Sequence, residues 1–210
     1  MVLNKPSGLP VQGGEGVRSS LDSILSEKIN PRPLLVHRLD KDTSGLILVA
    51  KNREAAAAFS ALFSGLSAGR GSLVKSYLGI CSGIPELDEG LISFDLETKG
   101  KGKFKTARKS RTFYRLHSSR ELEGFPCSLL ELELGTGRMH QIRRHLALKG
   151  HPILGDDKYG DFSLNKKLRK AVGLKNLLLH AHRLIIPPTP ELPDGLDISA
   201  PPPEYFSLFS

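Results

Sequence analysis

One short segment of the chain concentrates side chains that can do chemistry. Residues 37–44 read His-Arg-Leu-Asp-Lys-Asp-Thr-Ser, a charged and turn-prone cluster between the aliphatic runs 34–36 and 46–49. Strands on both sides of such a cluster hold its side chains at a sheet edge, where a substrate can reach them. The pattern indicates a positioned carboxylate, Asp40, flanked by basic residues. Taken alone, the same pattern also fits a surface loop of mutually satisfied charges.

Metal and nucleotide chemistry find no support in the sequence. His140 and His145 lack the intervening Glu of the metalloprotease pattern, and His180 with His182 has no third ligand at a recognisable spacing, so we expect no metal. The glycine-containing segment 135–140 lacks the final Gly of a dinucleotide-binding loop. We therefore expect no cofactor and no bound nucleotide.

The charge of the chain favours a phosphate-rich partner. The formal net charge is +8, and seven basic residues with no acid lie between positions 99 and 111. Lysines that alternate with Gly and Phe predict an extended hairpin with one basic face. This face indicates contacts with RNA phosphates through Lys101, Lys103 and Lys105, although a solvated surface is the alternative.

The segment around Asp40 resembles the signature of the RluA-type pseudouridine synthases of the ribosomal large-subunit kind. In that signature, His-Arg-Leu-Asp is followed by Thr-Ser-Gly and an aliphatic strand that ends in Ala-Lys. Further islands of resemblance come in family order over nearly the whole chain, at residues 4–11, 75–78, 136–145, 150–160 and 179–181. The resemblance implies a cofactor-free isomerase that converts uridine to pseudouridine in RNA.

The resemblance also implies catalytic roles. Asp40 attacks C1′ of the ribose as a nucleophile or removes a proton from C2′, and the sequence leaves both routes open. Arg143 is the expected partner that keeps this carboxylate ionised, because a guanidinium can grip a carboxylate with two hydrogen bonds. Tyr77 is expected to pack on the detached uracil, with its hydroxyl near C5. A glycosidase would need two carboxylates across the bond, and Asp42 lies on the same loop as Asp40.

RNA binding is expected to include base flipping, because a stacked uridine exposes neither C1′ nor C5. By resemblance, Arg38 fills the vacated stack or contacts phosphates. The other positions assigned to RNA binding are His37, Thr43, Lys75, Arg138, His140 and Gln141.

The elements that must position these residues predict an α+β fold. Strand-like runs outnumber helices and are irregularly spaced, which favours a mixed, mostly antiparallel sheet with flanking helices and a central active-site cleft. Helices are predicted at 21–29, 52–63, 138–149 and 161–173, with Met139, Ile142 and Leu146 facing inward on the third. Residues 187–203 are expected to form a loop, and 205–209 a short edge strand.

Residues 1–210 are expected to form a single pseudouridine synthase catalytic domain. The chain opens almost at its first motif, so the small S4-type RNA-binding domain of many relatives is expected to be absent, either from this member or through truncation. The two cysteines and the lack of a long apolar run favour a cytoplasmic protein without a membrane partner. We also expect a monomer. Large-subunit ribosomal RNA is the expected substrate. The rivals are a catalytically silent RNA-binding or ribosome-assembly factor on the same fold and an RNA-directed glycosidase.

Overall fold

The computed structural model describes residues 1–14, 16–65, 73–99 and 105–209. The chain forms two compact units, residues 1–75 with 180–202 and residues 76–179 with 203–210. We call them the first and the second unit. In the described part of the chain, no helix is both long and apolar enough to cross a bilayer.

The first unit is built around one fully buried strand. Its elements are β1 (Val2–Lys5), α1 (Leu21–Lys28), β2 (Leu34–Leu35), β3 (Ser44–Ala50), α2 (Arg53–Ser64), most of β8 (Leu179–Ile186) and β9 (Leu196–Ser199). Strand β3 pairs antiparallel with β1 and β2 and parallel with β8, and β9 extends the sheet antiparallel to β8. The aliphatic residues of β3 are all buried, and Leu46, Leu48 and Ala50 on it pack in one cluster with Phe59 of α2, Val36 and Ile186.

The second unit is a four-stranded antiparallel sheet with two helices. Its elements are most of β4 (Val74–Ser82), β5 (Glu89–Lys99), β6 (Lys105–Leu122), β7 (Phe125–Leu134), α3 (Gln141–Leu148), α4 (Phe162–Ala171) and a 3-10 helix (Glu204–Phe209). The strand order is β4-β7-β6-β5. Helix α3 buries Ile142 and Leu146 in this unit. Both units combine helices with mostly antiparallel strands, which confirms the predicted α+β class.

Several predicted elements differ from the structure. Helix α3 begins at Gln141 rather than at 138, because His140 has a left-handed backbone with φ 51° that interrupts the helical run. Met139 is therefore outside the helix and 53% exposed, not inward-facing. The predicted strand at 205–209 is part of the 3-10 helix, and β9 lies inside the predicted loop 187–203. The predicted basic hairpin is present as β5 and β6, and its tip at 100–104 lies outside the described residues.

Candidate active site

Asp40 lies in the first unit on the loop between β2 and β3. Its side chains alternate in burial: Arg38 is exposed, Leu39 is buried and Asp40 is half-buried. Leu39 thus anchors the loop in the core while its two neighbours reach solvent. A carboxylate in this position is accessible to a substrate and still held by a fixed backbone.

A buried lysine anchors this loop from the N-terminal side. Lys5 is 1% exposed, and its ammonium donates hydrogen bonds of 2.9 Å to the carbonyl oxygens of Pro6, Leu9 and Lys41. Burial lowers the pKa of Lys5 to about 8, against the attraction of Asp42 and Asp40, which raises it. Lys5 therefore fixes the backbone next to Asp40 and supplies a nearby positive charge.

His37 holds the other side of the loop. The β2–β3 ladder ends at Leu35 and Val49, and the next backbone N–H, that of Leu48, donates to Nε2 of His37 at 2.8 Å. The imidazole stacks on Phe63 of α2 with centroids 3.9 Å apart. Burial, with Lys75 nearby, lowers the pKa of His37 to about 3, so the ring is neutral and Nε2 remains an acceptor. These contacts give His37 a structural role, and its predicted RNA contact stays a prediction.

Lys75 and Thr43 also have their surroundings within the first unit. The Lys75 ammonium lies 5.7 Å from the centre of the Phe63 ring, a cation–π distance, and burial lowers its pKa. Thr43 is buried, and its hydroxyl has no hydrogen-bond partner among the described residues. The predicted RNA contact of Thr43 stays a prediction.

The start of β3 is locked to β8 at the point where the loop ends. The Ser44 hydroxyl lies 3.0 Å from Nδ1 of His180, whose Nε2 lies 3.3 Å from the carbonyl oxygen of Ala200. Burial lowers the pKa of His180, which favours the neutral ring with Nε2–H donating and Nδ1 accepting. Gly45 follows with φ 112°, and a Cβ there would lie 2.3 Å from the carbonyl oxygen of Ala181. The Thr-Ser-Gly sequence thus permits a close approach of two backbones.

Tyr77 and Arg143 belong to the second unit. Tyr77 lies on β4 opposite Leu132 of β7 and is largely buried. Arg143 of α3 is 6% exposed, and its Nε and Nη2 donate to the two carboxylate oxygens of Asp156, each at 2.7 Å. Burial alone would raise the pKa of Asp156, but the hydrogen bonds from Arg143 and from the backbone of Tyr159 and Lys158 outweigh it and hold the pKa below its usual value.

His140 and Tyr159 complete the surroundings of Arg143. The guanidinium carbon lies 5.3 Å from the centre of the Tyr159 ring, and the Tyr159 hydroxyl is 3.0 Å from Nδ1 of His140. The two rings meet edge to face. The left-handed backbone of His140 therefore brings its ring to Tyr159, and Tyr159 in turn supports one face of the guanidinium.

Gln141 is a structural residue at the start of α3. Its side-chain oxygen accepts from the Thr136 hydroxyl at 2.6 Å and from the backbone N–H of Arg138 at 3.1 Å. Its amide nitrogen donates to Arg111 and Thr112 of β6 at 2.8 and 3.0 Å. The amide is buried and hydrogen-bonded on both sides, and its predicted RNA contact stays a prediction. Arg138 is half-buried, and its RNA contact stays a prediction.

The basic hairpin carries acids as well as bases in its described part. Asp95 of β5 lies opposite Lys109, and Glu89 pairs with Arg115 at 3.4 Å. Lys101 and Lys103 lie outside the described residues, as does the side chain of Lys105. Their contacts with RNA stay predictions.

Lys5 and Asp156 were not among the predicted site residues. Lys5 and Asp156 both lie in segments that resemble the family, but only their contacts show that one anchors the Asp40 loop and the other binds Arg143. The expected pairing of Arg143 with Asp40 stays a prediction.

Comparisons with known proteins agree on one family. Residues 1–148 match the family model described as RNA pseudouridylate synthase. Ribosomal large subunit pseudouridine synthase C of Rickettsia bellii is 37% identical over 198 residues, which cover 89% of this chain and 60% of that protein. The tRNA pseudouridine synthase C of Haemophilus ducreyi is 35% identical over 205 residues, covering 88% of this chain and 80% of that protein.

A solved structure shows the same fold. Human RNA pseudouridylate synthase domain containing 4 superimposes with a TM-score of 0.76 and 28% identity, over 99% of this chain and 87% of that one. The chain spans only 60% of the length of the Rickettsia protein. The motif residues, the fold and the extent of the match together establish that the chain belongs to the RNA pseudouridylate synthase family.

Proposed function

We propose that the chain isomerises uridine to pseudouridine in folded RNA and that large-subunit ribosomal RNA is its substrate. The observation that carries this proposal is the half-buried Asp40. The buried Lys5 ammonium fixes its loop and places a positive charge near it. Family membership supplies the reaction class, and the name of the Rickettsia relative, a ribosomal large subunit pseudouridine synthase, suggests the substrate.

The reaction rearranges bonds without a net change in composition. The N1–C1′ bond breaks, the uracil turns, and a C5–C1′ bond forms; C5 then loses its proton and N1 gains one. Asp40 acts on the sugar while the base is detached, by covalent attack at C1′ or by proton removal at C2′. Both roles need an ionised carboxylate, and the Lys5 ammonium places a positive charge near that carboxylate.

Arg143 and Tyr77 are the proposed partners of Asp40. A guanidinium stays protonated at any working pH, so Arg143 can hold a carboxylate ionised where water is excluded. The Tyr77 ring offers a flat surface for the detached uracil, and its hydroxyl can help remove the C5 proton, passing its own proton to water as it takes that one up. Arg38 is exposed two residues before Asp40, which suits it to occupy the stack that the flipped uridine leaves.

The test is release of tritium from uridine labelled at C5 in deproteinised RNA. Asp40→Asn should abolish release because it removes the charge and keeps the size. The matched control is Asp42→Asn, which makes the same change at an exposed carboxylate of the same loop and should preserve release. Equal release from wild type and Asp40→Asn would refute the role of Asp40. RNA binding without release from wild type would support the rival, a silent RNA-binding factor.

The choice of RNA is tested in the same assay. Large-subunit ribosomal RNA and bulk tRNA, each labelled at C5, are compared at equal uridine concentration. Faster release from the ribosomal RNA is expected, and release from tRNA alone would refute the proposed substrate. The monomeric state, the cytoplasmic location and the assignment of residues 1–210 to one catalytic domain stay predictions.

A further inference from the structure

The guanidinium of Arg143 is held on one edge by a carboxylate that is itself buried. Asp156 is 1% exposed and takes both the Nε and the Nη2 hydrogens of Arg143 at 2.7 Å. A pair with two parallel hydrogen bonds fixes the rotation of the guanidinium plane as well as its position. The Nη1 nitrogen points away from this edge, so its direction follows from the pair with Asp156.

Asp156 is immobilised by the turn that carries it. Its Oδ1 accepts from the backbone N–H groups of Lys158 and Tyr159 at 2.8 and 2.9 Å. Its carbonyl oxygen accepts from the side-chain amide of Asn165 on α4 at 3.1 Å, and the same amide accepts from the N–H of Gly155 at 2.9 Å. The carboxylate therefore has a fixed orientation before it meets Arg143.

Stability alone is a poor explanation for this pair. The cost of removing two charges from water often equals or exceeds their attraction, and apolar side chains of similar size can replace a buried ion pair without loss. Orientation is something that apolar side chains cannot provide. Tyr159 adds to it by supporting one face of the guanidinium at 5.3 Å.

We propose that Asp156 is a positioning residue for the isomerisation, which fixes the Arg143 guanidinium in the orientation that the catalytic carboxylate requires. This inference rests on the proposed function. Asp156 touches neither substrate nor reacting atoms and acts through Arg143.

The experiment compares two neighbouring carboxylates. Asp156→Asn keeps Oδ1 as the acceptor for the turn but sets an NH2 group against the Nε hydrogen of Arg143. We expect kcat for tritium release to fall by about 100-fold, the size of effect that a small misplacement of a catalytic group produces. KM for RNA should not change, because Asp156 is 1% exposed and is not among the proposed RNA contacts. Asp157→Asn is the matched control, since Asp157 is exposed and pairs only loosely with Arg169 at 3.3 Å.

A double-mutant cycle separates positioning from a general structural effect. In an Arg143→Met background, adding Asp156→Asn should reduce kcat no further, because the group that Asp156 orients is gone. Further loss in the double variant, or a loss confined to KM, would overturn the proposal. If Arg143→Met does not fold, Arg143→Lys replaces it, because lysine lacks the planar fork and the same non-additivity is expected.

Failure of this inference is distinguishable from failure of the proposed function. If Asp40→Asn abolishes release and Asp156→Asn does not lower kcat, only the positioning role is refuted. If Asp40→Asn leaves release intact, the proposed function itself fails, whatever Asp156→Asn does.

Discussion

Gly45 gives the sharpest test of how the Asp40 loop is held. The loop ends at Ser44, and β3 then runs beside β8, with Gly45 opposite Ala181 in the parallel register. Replacing Gly45 by Ala introduces a Cβ 2.3 Å from the carbonyl oxygen and 2.6 Å from the nitrogen of Ala181. Both atoms belong to the main chain of a buried strand, so no side-chain rotation can relieve the overlap.

The expected cost has two parts. A non-glycine residue in a sparsely populated conformation costs about 1–3 kcal/mol, and φ at Gly45 is 112°. Overpacking in a rigid interior adds about 1–3 kcal/mol. We therefore expect Gly45→Ala to lower the free energy of unfolding by about 4 kcal/mol. Gly8→Ala is the matched control: φ is 82° there, but a Cβ would meet nothing within 4 Å, so only the strain remains.

The assay is urea unfolding followed by far-ultraviolet circular dichroism. Gly8→Ala should lose about 1–2 kcal/mol, clearly less than Gly45→Ala. Adding Ala181→Gly to Gly45→Ala should not restore stability, because the overlapping atoms are backbone atoms. Equal losses at the two glycines, or rescue by Ala181→Gly, would refute the reasoning that a close approach of two main chains fixes the loop.

Three further predictions concern buried and charged groups. Lys5→Met should destabilise the protein by about 2 kcal/mol in urea unfolding, because three carbonyl groups lose their donor while relief of the ammonium's desolvation offsets part of that loss. Lys28→Met, at an exposed lysine, should have no effect. Equal losses in the two variants would contradict the anchoring role of Lys5. Burial, with Arg144 adding to it, lowers the pKa of His145 to about 4, so the unfolded state binds more protons than the folded state below pH 6.5. The free energy of unfolding should therefore fall from pH 6.5 toward pH 4, by at most about 1.4 kcal/mol per pH unit. The His145→Gln variant should show a shallower decline. Neutralising Lys101, Lys103 and Lys105 should reduce the slope of the logarithm of the RNA-binding constant against the logarithm of the salt concentration by roughly 2. An unchanged slope would mean that these lysines face only solvent.

Elements with strong local signals could be predicted from the sequence. The uninterrupted aliphatic run 46–49 predicts a strand buried on both faces, and β3 is one. Asn52 precedes a run of alanines, and its side chain caps α2 by accepting from the N–H of Ala55 at 2.8 Å. Helix α3 starts three residues late because His140 has a left-handed backbone, with its ring against Tyr159, a contact that no local pattern contains.

The sequence motifs predict which segments form the candidate site, but not which contacts their side chains make. Asp156 and Asp157 are adjacent and chemically identical in the sequence, yet the first is 1% exposed and binds Arg143 while the side chain of the second is 78% exposed. Their difference arises from the turn before α4, which turns one carboxylate inward. Lys5 likewise gains its role through a bond to Lys41, 36 residues away, which depends on the pairing of β1 with β3.

The β5–β6 hairpin has an uneven distribution of charge along its length. Acids and bases face each other near its base, at Glu89 with Arg115 and at Asp95 with Lys109, whereas Lys99 opposite Lys105 begins a stretch without acids. The excess of positive charge in this part of the sequence therefore lies in residues 99–111. A polyanion should be attracted by these charges before it makes close contact. Salt should therefore slow the encounter more than it hastens dissociation.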